Sequence, residues 1–199
     1  AAAEASHQLW SMTDQNGNAV PSSYNNAWQL SEQSIIECCG SQYDSNGCGG
    51  GGVSGPMQCA VDMGTLISAV SHPYLATTTN TTCSYSGTQA AAYVENWYEP
   101  CANGDEVCVK SYIGGDSCSS FYTTALKTSI EVIRSFYDYA GGVYSDPNCP
   151  NTIHNHAVAI VGWGTNASGM DYWIVRNSWG SGWGQNGYIY MQRGTNMCC

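Results

Sequence analysis

The run Arg176-Asn177-Ser178-Trp179-Gly180-Ser181-Gly182-Trp183-Gly184-Gln185-Asn186-Gly187-Tyr188 sits between two short β-rich runs, 172–176 and 188–192. Two more β-rich runs, 129–133 and 157–162, precede it, and Gly141-Gly142, Pro147, Pro150, Gly162, Gly164 and Gly180 punctuate the whole region. Before Thr123 the pattern is helical. A helix is expected over 1–10, ending near Ser11 ahead of the turn cluster Asp14, Asn16, Gly17 and Asn18. A second starts at Ser31, where Ser31-Glu32-Gln33-Ser34 reads as an N-terminal cap before Ile35 and Ile36, and a third spans 56–70. A helical first part followed by antiparallel strands is the α+β pattern, in two lobes with a cleft. The expected organisation is a mainly helical lobe over 1–98, a disulfide-tied insertion loop over 99–122 and an antiparallel β lobe over 123–199.

Charge narrows the function. The chain has 199 residues, 15 acidic and 5 basic, for a formal net charge of -10. A polyanion is recognised by a basic face, and Lys110, Lys127, Arg134, Arg176 and Arg193 are the only residues that could build one. Nucleic acid is therefore excluded as the main partner, and an anionic membrane surface with it. The richest apolar stretch, 157–162, is far shorter than the ~20 residues of a membrane-spanning helix. The 7 Trp, 14 Tyr and 43% hydrophobic residues supply ample core. Ala1-Ala2-Ala3-Glu4-Ala5 are strong helix formers with no N-cap before them, and 1–9 carries no positive n-region or cleavage motif, so more chain is expected upstream.

The 11 cysteines point to an oxidising compartment, extracellular or lysosomal/vacuolar, and lack the regular Cys-x-x-Cys and His spacing of a zinc framework. Two sequons, Asn80-Thr81-Thr82 and Asn166-Ala167-Ser168, agree with that compartment as glycosylation sites. His154 and His156 would share a face of a strand, but no carboxylate or further His stands near them in sequence, so no metal and no cofactor are expected.

Four segments in order carry a family likeness: Leu30-Ser31-Glu32-Gln33 through Cys38; Cys48-Gly49-Gly50-Gly51; Asn155-His156-Ala157-Val158 through Val161-Gly162-Trp163-Gly164; and the run 176–188. Together they resemble the papain-like cysteine proteases, the cathepsin family, across essentially the whole chain. The resemblance implies a helical lobe, an antiparallel β-barrel-like lobe and a cleft, and an endopeptidase acting on peptide or protein substrates. It makes His156 the catalytic imidazole and Asn177 the amide that orients it, with Trp179 covering their hydrogen bond. Asn177 follows His156 by 21 residues, a strand, a turn and a second strand, enough to set the two side by side. Gly50 and Gly51 are expected to present backbone to an extended peptide, Gly52 and Val53 to line a roomier pocket for the second residue before the scissile bond, and Asn155 and Trp183 to bind substrate. His72 falls at an aromatic position of the family, with a packing role.

The family's Cys-Gly-Ser-Cys-Trp signature and its upstream glutamine are not in these residues, so the nucleophile is expected upstream of residue 1. By the same resemblance Cys38 pairs with Cys83 and Cys149 with Cys198 or Cys199, while Cys48 would pair with the first cysteine of that signature, tying on an N-terminal fragment. Cys39, Cys59, Cys101, Cys108, Cys118 and the remaining terminal cysteine leave fifteen connectivities, of which Cys101 with Cys108 is favoured. Cys59, near the start of a helix, is the alternative nucleophile within the chain. The other function class is a non-catalytic papain-like domain with a structural or binding role in an extracellular assembly.

Overall fold

In a computed structural model, the structure describes residues 30–78, 83, 90–94, 96–114 and 125–198. The helix expected over 1–10, the sequon at Asn80, Cys118 and Cys199 lie outside them. The chain divides between Tyr98 and Glu99 into two compact units.

In the unit before Glu99, Ser31 caps α1, Glu32–Cys38, by accepting the Ser34 N–H at 3.0 Å on its hydroxyl. Two 3-10 turns, Ser41–Tyr43 and Gly47–Gly49, lead to α2, Ser54–Met63. The helix expected to reach residue 70 stops at Met63 because Gly64 turns left-handed at φ 68° and its N–H closes on the Ala60 and Val61 carbonyls. The apolar run beyond it forms β1, Thr65–Ile67, paired antiparallel with β2, Ala90–Tyr93. Disulfides Cys38–Cys83 and Cys39–Cys59 tie the C-terminal end of α1 to the segment between β1 and β2 and to α2.

The unit from Glu99 opens with a helix where the sequence shows little periodicity. Asp105 accepts the Cys108 N–H at 3.0 Å and starts α3, Glu106–Gly114, while Cys101–Cys108 ties the loop before it to its first turn. Among the described residues five strands follow: β3, Leu126–Ile130; β4, Val143–Tyr144; β5, His156–Thr165; β6, Asp171–Arg176; and β7, Tyr188–Gln192. A single helical turn, α4, Arg134–Tyr137, separates β3 from β4. The first strand lies three residues earlier than its expected start at 129. The order β3-β5-β6-β7-β4 is an open sheet, antiparallel except for the edge pair β4 and β7. Alternation decides its faces: Trp173, Val175, Ile189 and Met191 bury one side with Ile130, Val158, Ile160 and Phe136. On the other side Tyr172 and Tyr190 stack with ring centroids 4.8 Å apart. Among the described residues no helix is long and apolar enough to cross a membrane.

Candidate active site

The sheet register brings the histidine and the asparagine together. Ala159 pairs with Arg176, so one step further Asn177 stands across from Val158, and His156, two residues from Val158, is its diagonal neighbour on the same face. The Asn177 backbone is held there by its N–H on the Gly187 carbonyl at 3.0 Å. The distance from His156 Nε2 to Asn177 Oδ1 is 2.8 Å. The same oxygen accepts the Ser178 backbone N–H at 2.8 Å. A backbone N–H can only donate, so the amide must turn its oxygen to this side, and the histidine nitrogen facing that oxygen must carry the proton. His156 is thereby held with Nε2–H donating to Asn177, which leaves Nδ1 as the basic nitrogen of the neutral ring. Asn177 is buried, and its Nδ2 has no partner among the described residues.

An aromatic cluster encloses this pair. Trp179 sits 5.1 Å from the His156 ring, and Tyr137, itself 58% exposed, stacks flat on Trp179 at 4.9 Å. Phe136, fully buried, meets Trp179 edge-on and stacks with Trp183. Trp183 donates its Nε1–H to the Tyr137 carbonyl at 3.1 Å, so it braces α4 under the cluster. The sequence reading missed Phe136 and Tyr137.

A second omission is Glu131. Its buried carboxylate accepts the Thr152 and Ile153 backbone N–H groups, each at 2.9 Å, and the Thr152 hydroxyl at 3.1 Å. These donors, Ile153 first, hold the carboxyl below the usual carboxylate range. The Glu131 N–H donates to the Cys198 carbonyl at 2.8 Å, and Cys198 is bonded to Cys149. Thus one residue next to the Ile130–His156 pairing pins the loop that delivers His156. Asn155 completes it, since its amide accepts the Val132 N–H at 2.8 Å and donates to the Val132 carbonyl at 3.3 Å. Asn155, expected to bind substrate, is exposed and carries these two bonds to Val132.

In the other unit, the glycine loop folds onto the 3-10 turn before it. Asn46 N–H donates to the Gly50 carbonyl and Gly52 N–H to the Asp44 carbonyl, at 2.8 and 2.9 Å, which bridges Ser45 to Gly51. In such a bridge the N–H and C=O of Gly51 itself point away from Ser45. Gly51 is exposed, and neither group has a partner among the described residues. Only glycine fits, because a Cβ here would lie 2.2 Å from the Asp44 carbonyl oxygen. Val53 is half-buried at the start of α2. Cys48 is exposed and has no disulfide partner among the described residues. Cys59 is buried and bonded to Cys39, which removes it as a nucleophile.

The profile of the papain family cysteine proteases matches residues 10–199. The chain belongs to the papain family. Papain-family relatives include a cathepsin L of Sarcophaga peregrina, 35% identical over 170 residues, covering 85% of this chain and 47% of the relative. The thiol protease aleurain of Arabidopsis thaliana is 34% identical over 186 residues, covering 90% of this chain and 49% of its own length. The chain thus spans about half the length of the curated papain-family proteins it matches. A solved digestive procathepsin L 3 from the Tenebrio molitor larval midgut superposes with a TM-score of 0.79 at 29% identity, over 99% of this chain and 57% of that one. The bromelain protease of Ananas comosus in complex with the E64 inhibitor gives 0.72 at 28% identity, over 85% of this chain and 71% of that one.

Proposed function

We propose that this chain is the larger part of a cysteine-type endopeptidase, in which His156 and Asn177 serve a thiolate supplied by a segment N-terminal to residue 1. The observation that carries it is the Nε2–Oδ1 contact of 2.8 Å with the amide oriented by Ser178. An imidazole so held presents Nδ1 to a thiol, takes its proton and stabilises the resulting ion pair. The thiolate then adds to the scissile carbonyl; the C–N bond breaks as imidazolium Nδ1 returns the proton to the departing amine, and an acyl-thioester remains. Water, deprotonated by the same nitrogen, hydrolyses the thioester and regenerates the thiol. Trp179 excludes water that would compete for the Asn177 oxygen.

Gly51 binds the substrate backbone by adding the peptide as one strand, flanked by Gly50, Gly52 and Val53. In the other unit Trp183 braces α4, next to Trp179. The free thiol of Cys48 supports a disulfide to the N-terminal fragment that holds the nucleophile. Four disulfides among the described residues favour an extracellular or lysosomal/vacuolar setting. Asn166, at the tip of the β5–β6 hairpin, is the described sequon open to glycosylation; its Oδ1 accepts from Ser168 and Met170, and its Nδ2 has no partner among the described residues. The test is hydrolysis of fluorogenic peptides by the full-length protein. His156→Ala should abolish it, and undiminished turnover in that variant would overturn the assignment.

A further inference from the structure

β5 starts at His156, whose register partner is Ile130, the last residue of β3, so the ladder between these strands ends at the residue that carries the imidazole. The chain just before it, 151–155, is exposed throughout. Glu131, next after Ile130, is buried, and one oxygen of its carboxylate, Oε2, takes the Thr152 N–H, the Ile153 N–H and the Thr152 hydroxyl together. No Lys or Arg pairs with it among the described residues, so donors from the loop are what hold the charge. Those donors could bond water in an exposed loop, whereas taking a carboxylate out of water is costly. What the arrangement adds is order. The backbone closes around it in the same sense: Asn155 N–H donates to the Ile130 carbonyl at 3.1 Å and Glu131 N–H to the Cys198 carbonyl at 2.8 Å. Phe136 meets the His156 ring edge-on at 6.4 Å from the same stretch of chain. All of these contacts lie within the unit from Glu99.

Resting on the peptidase reading above, we infer that Glu131 is a positioning residue for the reaction: it fixes the main chain that delivers His156, and with it the place at which Nδ1 meets the thiol and the departing amine. Asn177 sets the rotation of the ring through Nε2. Where the ring stands is set by its Cα, and a misplacement of about 1 Å is worth about a hundredfold in rate. Glu131 bonds the loop and not the imidazole, so its removal is felt in turnover at each site and in the order of the ring, with substrate affinity little altered.

The experiment compares the full-length protein with three variants. Glu131→Gln keeps an acceptor without the charge, Glu131→Leu keeps neither, and Thr152→Val removes only the hydroxyl donor. Sites are counted by stoichiometric labelling with an epoxide of the E64 type, and kcat is expressed per labelled site. In parallel the His156 Nε2–H resonance, assigned by its loss in His156→Ala, is followed for exchange with water. Per-site kcat should fall about threefold in Thr152→Val, about fivefold in Glu131→Gln and about fiftyfold in Glu131→Leu, with KM little changed and Nε2–H exchanging faster in the same order. If Glu131→Leu does not fold, the other two variants decide. A per-site kcat at the parent's value, with only the labelled fraction or the unfolding temperature lowered, overturns the inference and leaves the peptidase reading standing. Faster Nε2–H exchange in variants of a protein that neither hydrolyses peptide nor takes label keeps the role of Glu131 at His156 and sinks the catalytic reading; unchanged exchange there sinks both.

Discussion

One hydrogen bond sets the chemistry of the ring at the residue scale. Because Ser178 N–H fixes the Asn177 amide, His156 is expected as the Nε2–H tautomer when neutral, and 15N NMR of the ring should show the proton on Nε2. Asn177→Ala should lower kcat/KM by about a hundredfold with a smaller change in KM, since misplacing a catalytic group is paid in turnover. Equal activity in that variant would contradict the role. These two residues were legible from the sequence because the flanking runs carried a family likeness across both strands. Glu131 and Phe136 were not. Each acts through contacts to segments distant in sequence, Glu131 with Thr152 and Ile153 and Phe136 with Trp179 and Trp183, which no local pattern announces.

At the scale of elements, the loop before β5 is the part whose hold depends on pH. Donors to Glu131 lower its carboxyl in the folded chain, so its contribution is present at and above the usual carboxylate range and is lost as pH falls through the lowered value. Asp146 follows the same sign, held down by the Ser135 hydroxyl at 2.5 Å. Thermal unfolding should therefore show Glu131→Gln less stable than the parent from neutral to mildly acidic pH, with the gap closing in stronger acid. A gap that widens as pH falls would contradict this. Replacing both Cys149 and Cys198 by Ser opens a loop of 49 residues and should cost about 4 kcal/mol in the chain-entropy model, read as a lowered denaturation midpoint. Strands and the cap at Ser31 were readable because burial alternation and capping chemistry are local. The helix Glu106–Gly114 was hidden because only part of it faces the core, through Val109 and Ile113, and a disulfide rather than periodicity marks its start.

For the whole molecule, a net charge of -10 with every Lys and Arg beyond residue 109 makes one unit uniformly acidic. Capture of a cationic peptide should then weaken with salt, and kcat/KM for an Arg-containing peptide should fall between low and physiological ionic strength while that of an uncharged one stays flat. The most direct measurement is covalent labelling of the full-length protein, under non-reducing conditions, with an epoxide of the E64 type, followed by mass-spectrometric mapping of the adduct. One adduct per chain is expected, on a cysteine N-terminal to Ala1, and suppressed in His156→Ala. An adduct on Cys48 itself, or none in a folded preparation, would contradict the assignment of His156 and Asn177 to a thiolate enzyme.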